Sequence, residues 1–249
     1  MERFEGKRVL LTGAGSGIGR ATAVRLVREG ASVVGLGRNE EALAGTATLV
    51  PDTGRFRWLP ADLCEETAVV DAVAGAAELL GGLDVVVNVA GITEPMPADQ
   101  LDLGHLRHVF ATNTFGPMLV CREALPHLAD GTGVIVNVSS TAATQAAPGM
   151  TAYSASKAAL LAYSGSLAIE LAPRRIRVVT ISPGGVNTAM LQGEIKALDT
   201  NWYPRLAPPW GQVGEPEEIA ATIAYAASAD ASYLNGTEIR LDGGARSTW

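Results

Sequence analysis

The chain has 249 residues, of which 47% are apolar and 18% charged, so it is long and apolar enough to bury one large core. Nineteen basic and twenty-six acidic side chains give a formal net charge of -7, which disfavours nucleic acid and anionic membranes as partners. No stretch approaches the roughly twenty apolar residues of a membrane span. We therefore expect a cytoplasmic protein with a single domain over residues 1–249.

Short β-branched runs alternate with longer amphipathic segments along the chain. They predict strands at Lys7–Thr12, Ser32–Leu36, Arg55–Leu59, Leu83–Asn88, Gly133–Ser139, Arg177–Ser182 and Glu238–Leu241. Helices are predicted at Gly17–Glu29, Glu40–Ala47, Glu65–Leu80, Leu101–Leu128, Ser154–Leu171 and Pro216–Ala227. This alternation predicts an α/β fold with a doubly wound, mainly parallel seven-stranded sheet and helices on both faces.

A glycine-rich turn joins the first predicted strand to the first helix. Glycines there let the backbone turn tightly and let a pyrophosphate approach the N–H groups at the start of the helix. The spacing differs from the strict GxGxxG fingerprint, so a turn without a ligand is the alternative. The candidate phosphate-binding residues are Gly13, Gly15, Ser16, Gly17, Ile18 and Gly19.

Further candidate binding residues follow the carboxyl ends of the second, third and fourth strands, where doubly wound sheets bind nucleotides. Taken alone, Asp62 also suits a helix cap and Gly91 a turn. Folds that bind NAD place an acidic residue near the end of the second strand to hold the ribose, and this chain has Arg38 there. The sequence therefore predicts NADP rather than NAD. The candidates are Gly37, Arg38, Asp62, Leu63, Asn88, Ala90 and Gly91.

The strongest chemical signal is Tyr153, four residues before Lys157 at the start of a predicted helix. Residues four apart share a helix face, so the ammonium can lie beside the phenol. A free phenol has a pKa of about 10, and a neighbouring cation lowers it toward the range of a general acid or base. Ser140, at the end of the fifth strand, can hold the substrate oxygen. Each residue alone also has an ordinary structural interpretation.

The order of these motifs resembles the classical short-chain dehydrogenase/reductases. The resemblance comprises TGxxxGxG at 12–19, NxAG at 88–91, Asn113, Ser140, YxxxK at 153–157 and PGGVNT at 183–188, and extends from about Lys7 to Gly244. It implies a Rossmann-type fold and a catalytic tetrad of Asn113, Ser140, Tyr153 and Lys157. One departure is Val89, where the family usually has a second asparagine, and we expect it to alter hydrogen bonding in the central sheet.

The resemblance also implies a role for each site residue. Tyr153 transfers the substrate proton, Ser140 polarises the carbonyl, Lys157 also holds the nicotinamide ribose, and Asn113 positions a relay water. The nicotinamide end of the cofactor is expected to contact Pro183, Gly184, Val186 and Thr188.

These observations together predict an enzyme, an NAD(P)-dependent oxidoreductase that transfers hydride between nicotinamide and a small-molecule carbonyl or secondary alcohol. Two other interpretations stay open: a ketoacyl thioester reductase acting on a carrier protein, and a non-catalytic Rossmann module that senses nicotinamide redox state. No metal site is expected, because Cys64 and Cys121 lie outside any CxxC pattern.

The segment from Gly184 to Gly214 shows no clear periodicity, and we interpret residues 185–213 as a substrate lid. Its apolar side chains predict a pocket for a largely apolar, uncharged compound. They are Met190, Leu191, Trp202, Tyr203 and Trp210.

Two features concern the helices around the site. The predicted helix Ser154–Leu171 carries only Lys157 and Glu170 as charges, so we expect a second subunit to cover it, in the homotetramer that the family resemblance implies. Pro117 has no N–H, so the helix around it loses the hydrogen bond to the carbonyl of Asn113. We expect that carbonyl to bind a water beside Lys157.

Overall fold

The computed structural model describes residues 2–145, 147–197 and 208–245, with the backbone alone for 194–197. Its centre is a parallel sheet of seven strands in the order β3-β2-β1-β4-β5-β6-β7. This confirms the predicted doubly wound, Rossmann-type fold. The strands are β1 (Arg8–Thr12), β2 (Ser32–Gly37), β3 (Phe56–Pro60), β4 (Val85–Asn88), β5 (Val134–Val138), β6 (Arg177–Pro183) and β7 (Thr237–Leu241).

Helices cover both faces of this sheet. They are α1 (Gly17–Arg28), α2 (Glu40–Ala47), α3 (Glu66–Leu80), α4 (Leu103–Phe110), α5 (Gly116–Ala124), α6 (Thr151–Glu170), α7 (Ala189–Ala197) and α8 (Pro216–Ala227). Alternate strand residues point to opposite faces. Leu11 and Val136 therefore pack in the core under α1 and α8, whereas Leu10 and Ile135 pack in the core under α3, α5 and α6. Within the described residues, no helix is long and apolar enough to cross a membrane.

The helix predicted over 101–128 is observed as a continuous helical run from Leu103 to Ala124, which is interrupted by a wide π-helical turn at Ala111–Phe115. The N–H of Gly116 donates to the carbonyl of Ala111, five residues earlier. Pro117 follows and has no N–H to continue a regular ladder. The break near Pro117 was predicted, and it widens the turn that carries Asn113.

Part of the segment from Gly184 to Gly214 is helical although its sequence shows no clear periodicity, since α7 lies inside it. The two ends of this segment lie side by side, because Val186 near its start forms a β-bridge with Gly214 at its end. There Asn187 N donates to Gly214 O at 2.8 Å, and Gly214 N donates to Gly185 O at 2.9 Å. Two of the predicted lid aromatics, Trp202 and Tyr203, lie outside the described residues.

Candidate active site

The strand register brings the carboxyl ends of the central strands to one level. Thr12 pairs with Asn88, Asn88 with Asn137, and Asn137 with Thr180. The loops that follow these strands therefore meet at one edge of the sheet, where they enclose two adjoining cavities of about 310 and 220 Å³. We call them the first and second cavity.

Most of the predicted binding and catalytic residues line these cavities. The first is lined by Gly13, Ser16, Gly17, Ile18, Gly19, Ala90, Gly91, Ser140, Tyr153, Lys157, Pro183, Gly184, Val186 and Thr188. The second is lined by Gly13, Gly15, Ser16, Gly37, Arg38, Asp62, Leu63, Ala90 and Gly91. Asn88 and Asn113 belong to neither lining, and both are buried beneath the edge.

The glycine turn is a tight backbone cradle in which side chains would clash with the neighbouring backbone. Gly13 has a φ of +71°, and a Cβ on it would lie 2.9 Å from Ala90 Cα. A Cβ on Gly19 would lie 2.0 Å from the carbonyl oxygen of Gly13. Ser16 precedes α1 without capping it through its side chain, so the first N–H groups of α1 have no side-chain acceptor there. Such a cradle fits a pyrophosphate.

Arg20 and Thr46 fix this turn against α2. The Arg20 guanidinium donates to Gly15 O and, at 3.2 Å, to Thr46 Oγ1. Thr46 Oγ1 in turn donates to Ala14 O at 2.9 Å. Arg20 is thus occupied, whereas the exposed Arg38 makes no hydrogen bond or ion pair with the described residues. Arg38 is therefore the basic side chain of the second cavity that is available to a ligand.

Tyr153 and Lys157 lie together on the first turns of α6, as their spacing predicts. The Lys157 Nζ atom is 6.0 Å from the centroid of the Tyr153 ring, and only 9% of Tyr153 and 3% of Lys157 is exposed. Lys157 Nζ donates to Val138 O at 2.9 Å. Burial lowers the pKa of Lys157 from 10.5 to about 8. At neutral pH the ammonium is therefore retained, close to the phenol and at the wall of the first cavity.

Ser140 lies two residues after the end of β5 and caps the short 3-10 turn Thr141–Ala143. Its Oγ accepts a hydrogen bond from Ala142 N at 3.1 Å. A hydroxyl that accepts from the backbone still has its own proton to donate. Ser140 can therefore donate a hydrogen bond to an oxygen atom in the first cavity.

The buried side chain of Asn113 makes hydrogen bonds next to Tyr153 and Lys157. Its Oδ1 accepts from Ile92 N at 2.8 Å, and its Nδ2 donates to Ile92 O at 2.9 Å and to Ser156 Oγ at 3.1 Å. A Cβ on Gly91 would lie 3.2 Å from both Asn113 Oδ1 and Lys157 Nζ. The side chain of Asn113 thus joins α6 to the loop after β4, and its predicted relay water remains a prediction.

The side chain of Asn88 links neighbouring strands of the sheet by a hydrogen bond. Its Nδ2 donates to Asn137 Oδ1 at 2.9 Å, and Asn137 Nδ2 donates to Ser164 Oγ on α6 at 2.9 Å. Val89, at the position of the family's second asparagine, donates its N–H to Thr12 Oγ1 at 3.1 Å. The backbone at this position is therefore held without a second asparagine side chain.

Sequence reasoning missed several residues that hold the site. Ser139 Oγ donates to the carbonyl of Lys157 at 2.9 Å, and Ser156 Oγ donates to the carbonyl of Tyr153 at 2.7 Å. Ser156 lies three residues after Tyr153, so helical spacing could have identified it. Nothing in the sequence alone indicates that Ser139 and Lys157 meet.

The remaining wall of the first cavity is mainly apolar. It includes Met150, Met190 and Leu191, with Gln145 as a polar exception. Trp210, which we predicted as part of this wall, does not line the cavity and is 76% exposed. Among the described residues, fewer of the predicted apolar side chains therefore line the cavity than the sequence analysis expects.

Comparison with known proteins gives relatives over nearly the whole chain. A family model described as enoyl-(acyl carrier protein) reductase matches residues 13–246. The glucose 1-dehydrogenase of Gluconobacter oxydans strain 621H is 37% identical over 249 residues, covering 98% of this chain and 93% of that protein. The meso-2,3-butanediol dehydrogenase of Serratia marcescens is 34% identical over 243 residues, with 98% and 96% coverage.

Solved structures agree with these sequence relatives. A crystal structure of levodione reductase matches with a TM-score of 0.92 and 31% identity, covering 99% of this chain and 100% of that one. A short-chain dehydrogenase from Burkholderia cenocepacia J2315 in complex with NADP matches with a TM-score of 0.88 and 35% identity, covering 98% and 99%. With the predicted motifs along one sheet edge and relatives of this identity and coverage, the chain belongs to the classical short-chain dehydrogenase/reductases and is an oxidoreductase.

Proposed function

We propose that this chain uses NADPH to reduce a neutral ketone to a secondary alcohol, and catalyses the reverse oxidation with NADP. The observation that carries the proposal is that Ser140, Tyr153 and Lys157 line the same cavity as the glycine turn and the loop after β6. A panel of neutral ketones, followed by the loss of nicotinamide absorbance, tests it directly. No turnover of any ketone or alcohol would exclude the proposal.

The residues present fit a dinucleotide. Gly13, Gly17 and Gly19 form a tight cradle that leaves no room for side chains, and α1 begins there with N–H groups that the Ser16 side chain does not cap. We assign the pyrophosphate to this turn, the adenosine half to the second cavity and the nicotinamide half to Pro183, Gly184, Val186 and Thr188. When bound, the nicotinamide supplies or accepts the hydride.

The chain's own residues handle the substrate oxygen. Ser140 donates a hydrogen bond that polarises the carbonyl, and Tyr153 gives its phenolic proton to the same oxygen as the alcohol forms. Lys157 stabilises the phenolate that Tyr153 leaves behind, because its ammonium lies near the ring. Asn113 and Ser156 hold α6 and the loop after β4 in position for this transfer.

The charges of the described residues around the first cavity support a neutral substrate. Among its described lining residues, Lys157 is the only charged side chain. The levodione reductase and butanediol dehydrogenase relatives bear names of small carbonyl or alcohol compounds, which favours this class. The family-model description favours an acyl substrate on a carrier protein as a second candidate. Turnover of a carrier-bound ketoacyl thioester without any turnover of free ketones would reverse this order.

Arg38 supports the preference for NADP(H). It lines the second cavity, lacks a hydrogen-bonded partner there, and follows β2 at the position where NAD-binding folds have an acidic residue. The two acidic residues of the first turn of α2, Glu40 and Glu41, oppose a 2'-phosphate, so the guanidinium must outweigh them. The NADP-bound Burkholderia relative favours the same choice.

Replacing Arg38 with leucine should lower kcat/KM for NADPH about 10- to 100-fold, because a charge-assisted contact to the phosphate is lost. The value for NADH should change less than about 3-fold, since NADH has no 2'-phosphate. The matched control is Arg28→Leu, which removes the same charge from the exposed end of α1. A wild-type enzyme that uses NADH as efficiently as NADPH would contradict the assignment.

We also propose a homotetramer in which α6 packs against a second copy of the chain. The exposed positions Ala155, Ala162, Ser166 and Ile169 form one uncharged seam on this helix, with 75% of Ile169 exposed. Their spacing of three, four and seven residues places them on one face. Phe115, on the π turn that contacts α6, is 51% exposed and extends the apolar surface.

The substitution Ala162→Glu should therefore shift the assembly toward smaller species, because it buries an unpaired charge in the proposed interface. Light scattering after size exclusion measures the mass. Ala74→Glu, on the exposed face of α3, is the control and should keep the wild-type mass. A monomeric wild-type protein at micromolar concentration would refute the proposed tetramer.

The segment 185–213 remains the proposed substrate lid. Met190, Leu191, Pro208 and Val213 line the first cavity from it. Its two ends meet at the bridge between Val186 and Gly214, beside the first cavity that the lid would cover.

A further inference from the structure

Gln145 is a polar side chain of the first cavity that the chemistry above does not use. It lies in the loop after β5 and is half-buried. Ser140 and Tyr153 serve the reacting oxygen, and Ser139 Oγ is already bonded to the carbonyl of Lys157. The Gln145 amide makes no hydrogen bond to the described residues. It therefore presents both donors and an acceptor to the cavity.

The backbone of Gln145 is held at a fixed place relative to Ser140. The 3-10 turn that Ser140 caps ends at Ala143, and the N–H of Gln145 then donates to Thr141 O at 2.8 Å. Thr144 is anchored from β7, because Arg240 Nη2 donates to Thr144 Oγ1 at 2.8 Å. Ser140 and Gln145 are five residues apart in sequence, and both line the first cavity. Both can therefore contact one small molecule.

We propose that Gln145 is a specificity-determining residue that binds a second oxygen of the substrate, next to the carbon that reacts. The inference rests on the proposed function and names its substrate class: a neutral ketone with an adjacent hydroxyl or oxo group, or the corresponding diol. An amide recognises a hydroxyl or a carbonyl equally well and has no charge to attract a carboxylate or phosphate. The apolar neighbours Met150, Met190 and Leu191 then enclose the carbon skeleton.

The test compares cyclohexanone with 2-hydroxycyclohexanone, using NADPH and the wild-type enzyme, Gln145→Met and Met190→Leu. Methionine keeps the length of the side chain but removes the amide. A site that hydrogen-bonds a substrate hydroxyl discriminates against an analogue that lacks this hydroxyl. Removing the protein's hydrogen-bonding group should therefore weaken the reaction of the hydroxylated substrate and leave that of the analogue nearly unchanged. Gln145→Met should lower kcat/KM for the hydroxyketone about 10-fold or more and change that for cyclohexanone less than about 3-fold.

Met190→Leu is the control for an altered wall, and it should affect both ketones to the same degree. Equal effects of Gln145→Met on the two ketones, or no effect on either, would overturn the role of Gln145 while leaving ketone reduction intact. Failure of the wild-type enzyme to reduce any ketone would instead remove the proposed function and this inference with it. The two failures are thus distinguishable in one set of measurements.

Discussion

Replacing Tyr153 with phenylalanine should lower turnover at least about 1,000-fold while NADPH binds with nearly unchanged affinity. The phenolic proton is the one that the proposed chemistry delivers to the substrate oxygen, and phenylalanine has none. The ring is 9% exposed, so a phenylalanine fills the same space without a cavity. Single-turnover kinetics measure the chemical step, and nicotinamide fluorescence measures binding.

Tyr163 supplies a matched control for this experiment. It lies on the same helix, and its phenol interacts with Cys121 in the core beneath the sheet, away from the first cavity. Tyr163→Phe should keep turnover within about 3-fold of wild type, since it removes the same hydroxyl from a place without chemistry. Retention of more than a tenth of wild-type turnover by Tyr153→Phe would show that another group transfers the proton.

Lys157→Met should abolish turnover to a similar degree without lowering the thermal stability of the fold. Burial lowers the pKa of Lys157 from 10.5 to about 8, which corresponds to about 3 kcal/mol of unfavourable charge burial at neutral pH. Methionine removes this cost. It also leaves Val138 O without its donor at 2.9 Å, which costs about 1 to 3 kcal/mol. We therefore expect an equal or higher Tm at pH 7.

The difference in stability between the wild type and Lys157→Met should depend on pH. Between about pH 8 and pH 10.5 the unfolded chain still binds the Lys157 proton that the folded chain has released. The stability of the wild type contributed by this residue therefore rises with pH through that window, and the advantage of Lys157→Met shrinks. Calorimetry from pH 7 to pH 10 checks this. A Tm for Lys157→Met well below wild type at pH 7 would contradict the account.

Lys7→Met is the control for both parts of this prediction. The Lys7 side chain is 40% exposed, and its Nζ is 4.0 Å from Asp84 Oδ1, at the opposite end of β1 from the glycine turn. Such a pair contributes little in solvent. Lys7→Met should leave turnover near the wild-type value.

The sheet and the proximity of Tyr153 and Lys157 could be predicted because local patterns determine them. Uninterrupted apolar runs such as Val85–Val87 predict strands buried on both faces, and the four-residue spacing of Tyr153 and Lys157 predicts a shared helix face. The order of the strands then brings separate motifs to one edge. Ser140 could be placed there from sequence because it lies only two residues after the end of β5.

The residues that were missed depend on contacts between distant parts of the chain. Arg240 reaches Thr144 across 96 positions, and Asn137 reaches Ser164 between a strand and a helix. Neither pair has a local periodicity that would reveal it. The helix α7 was missed for a different reason, since Gly193 and the prolines that follow it mask its pattern.

The most direct test of the central claim is a single-turnover reaction with NADPH carrying deuterium on the transferable position of its nicotinamide and 2-hydroxycyclohexanone as substrate. We predict that wild-type protein forms one diol for each NADPH oxidised, with the deuterium on the new carbinol carbon, and that Tyr153→Phe forms almost none. If the labelled cofactor binds but no neutral ketone receives deuterium, the chain does not carry out the carbonyl reduction that Ser140, Tyr153 and Lys157 are proposed to perform.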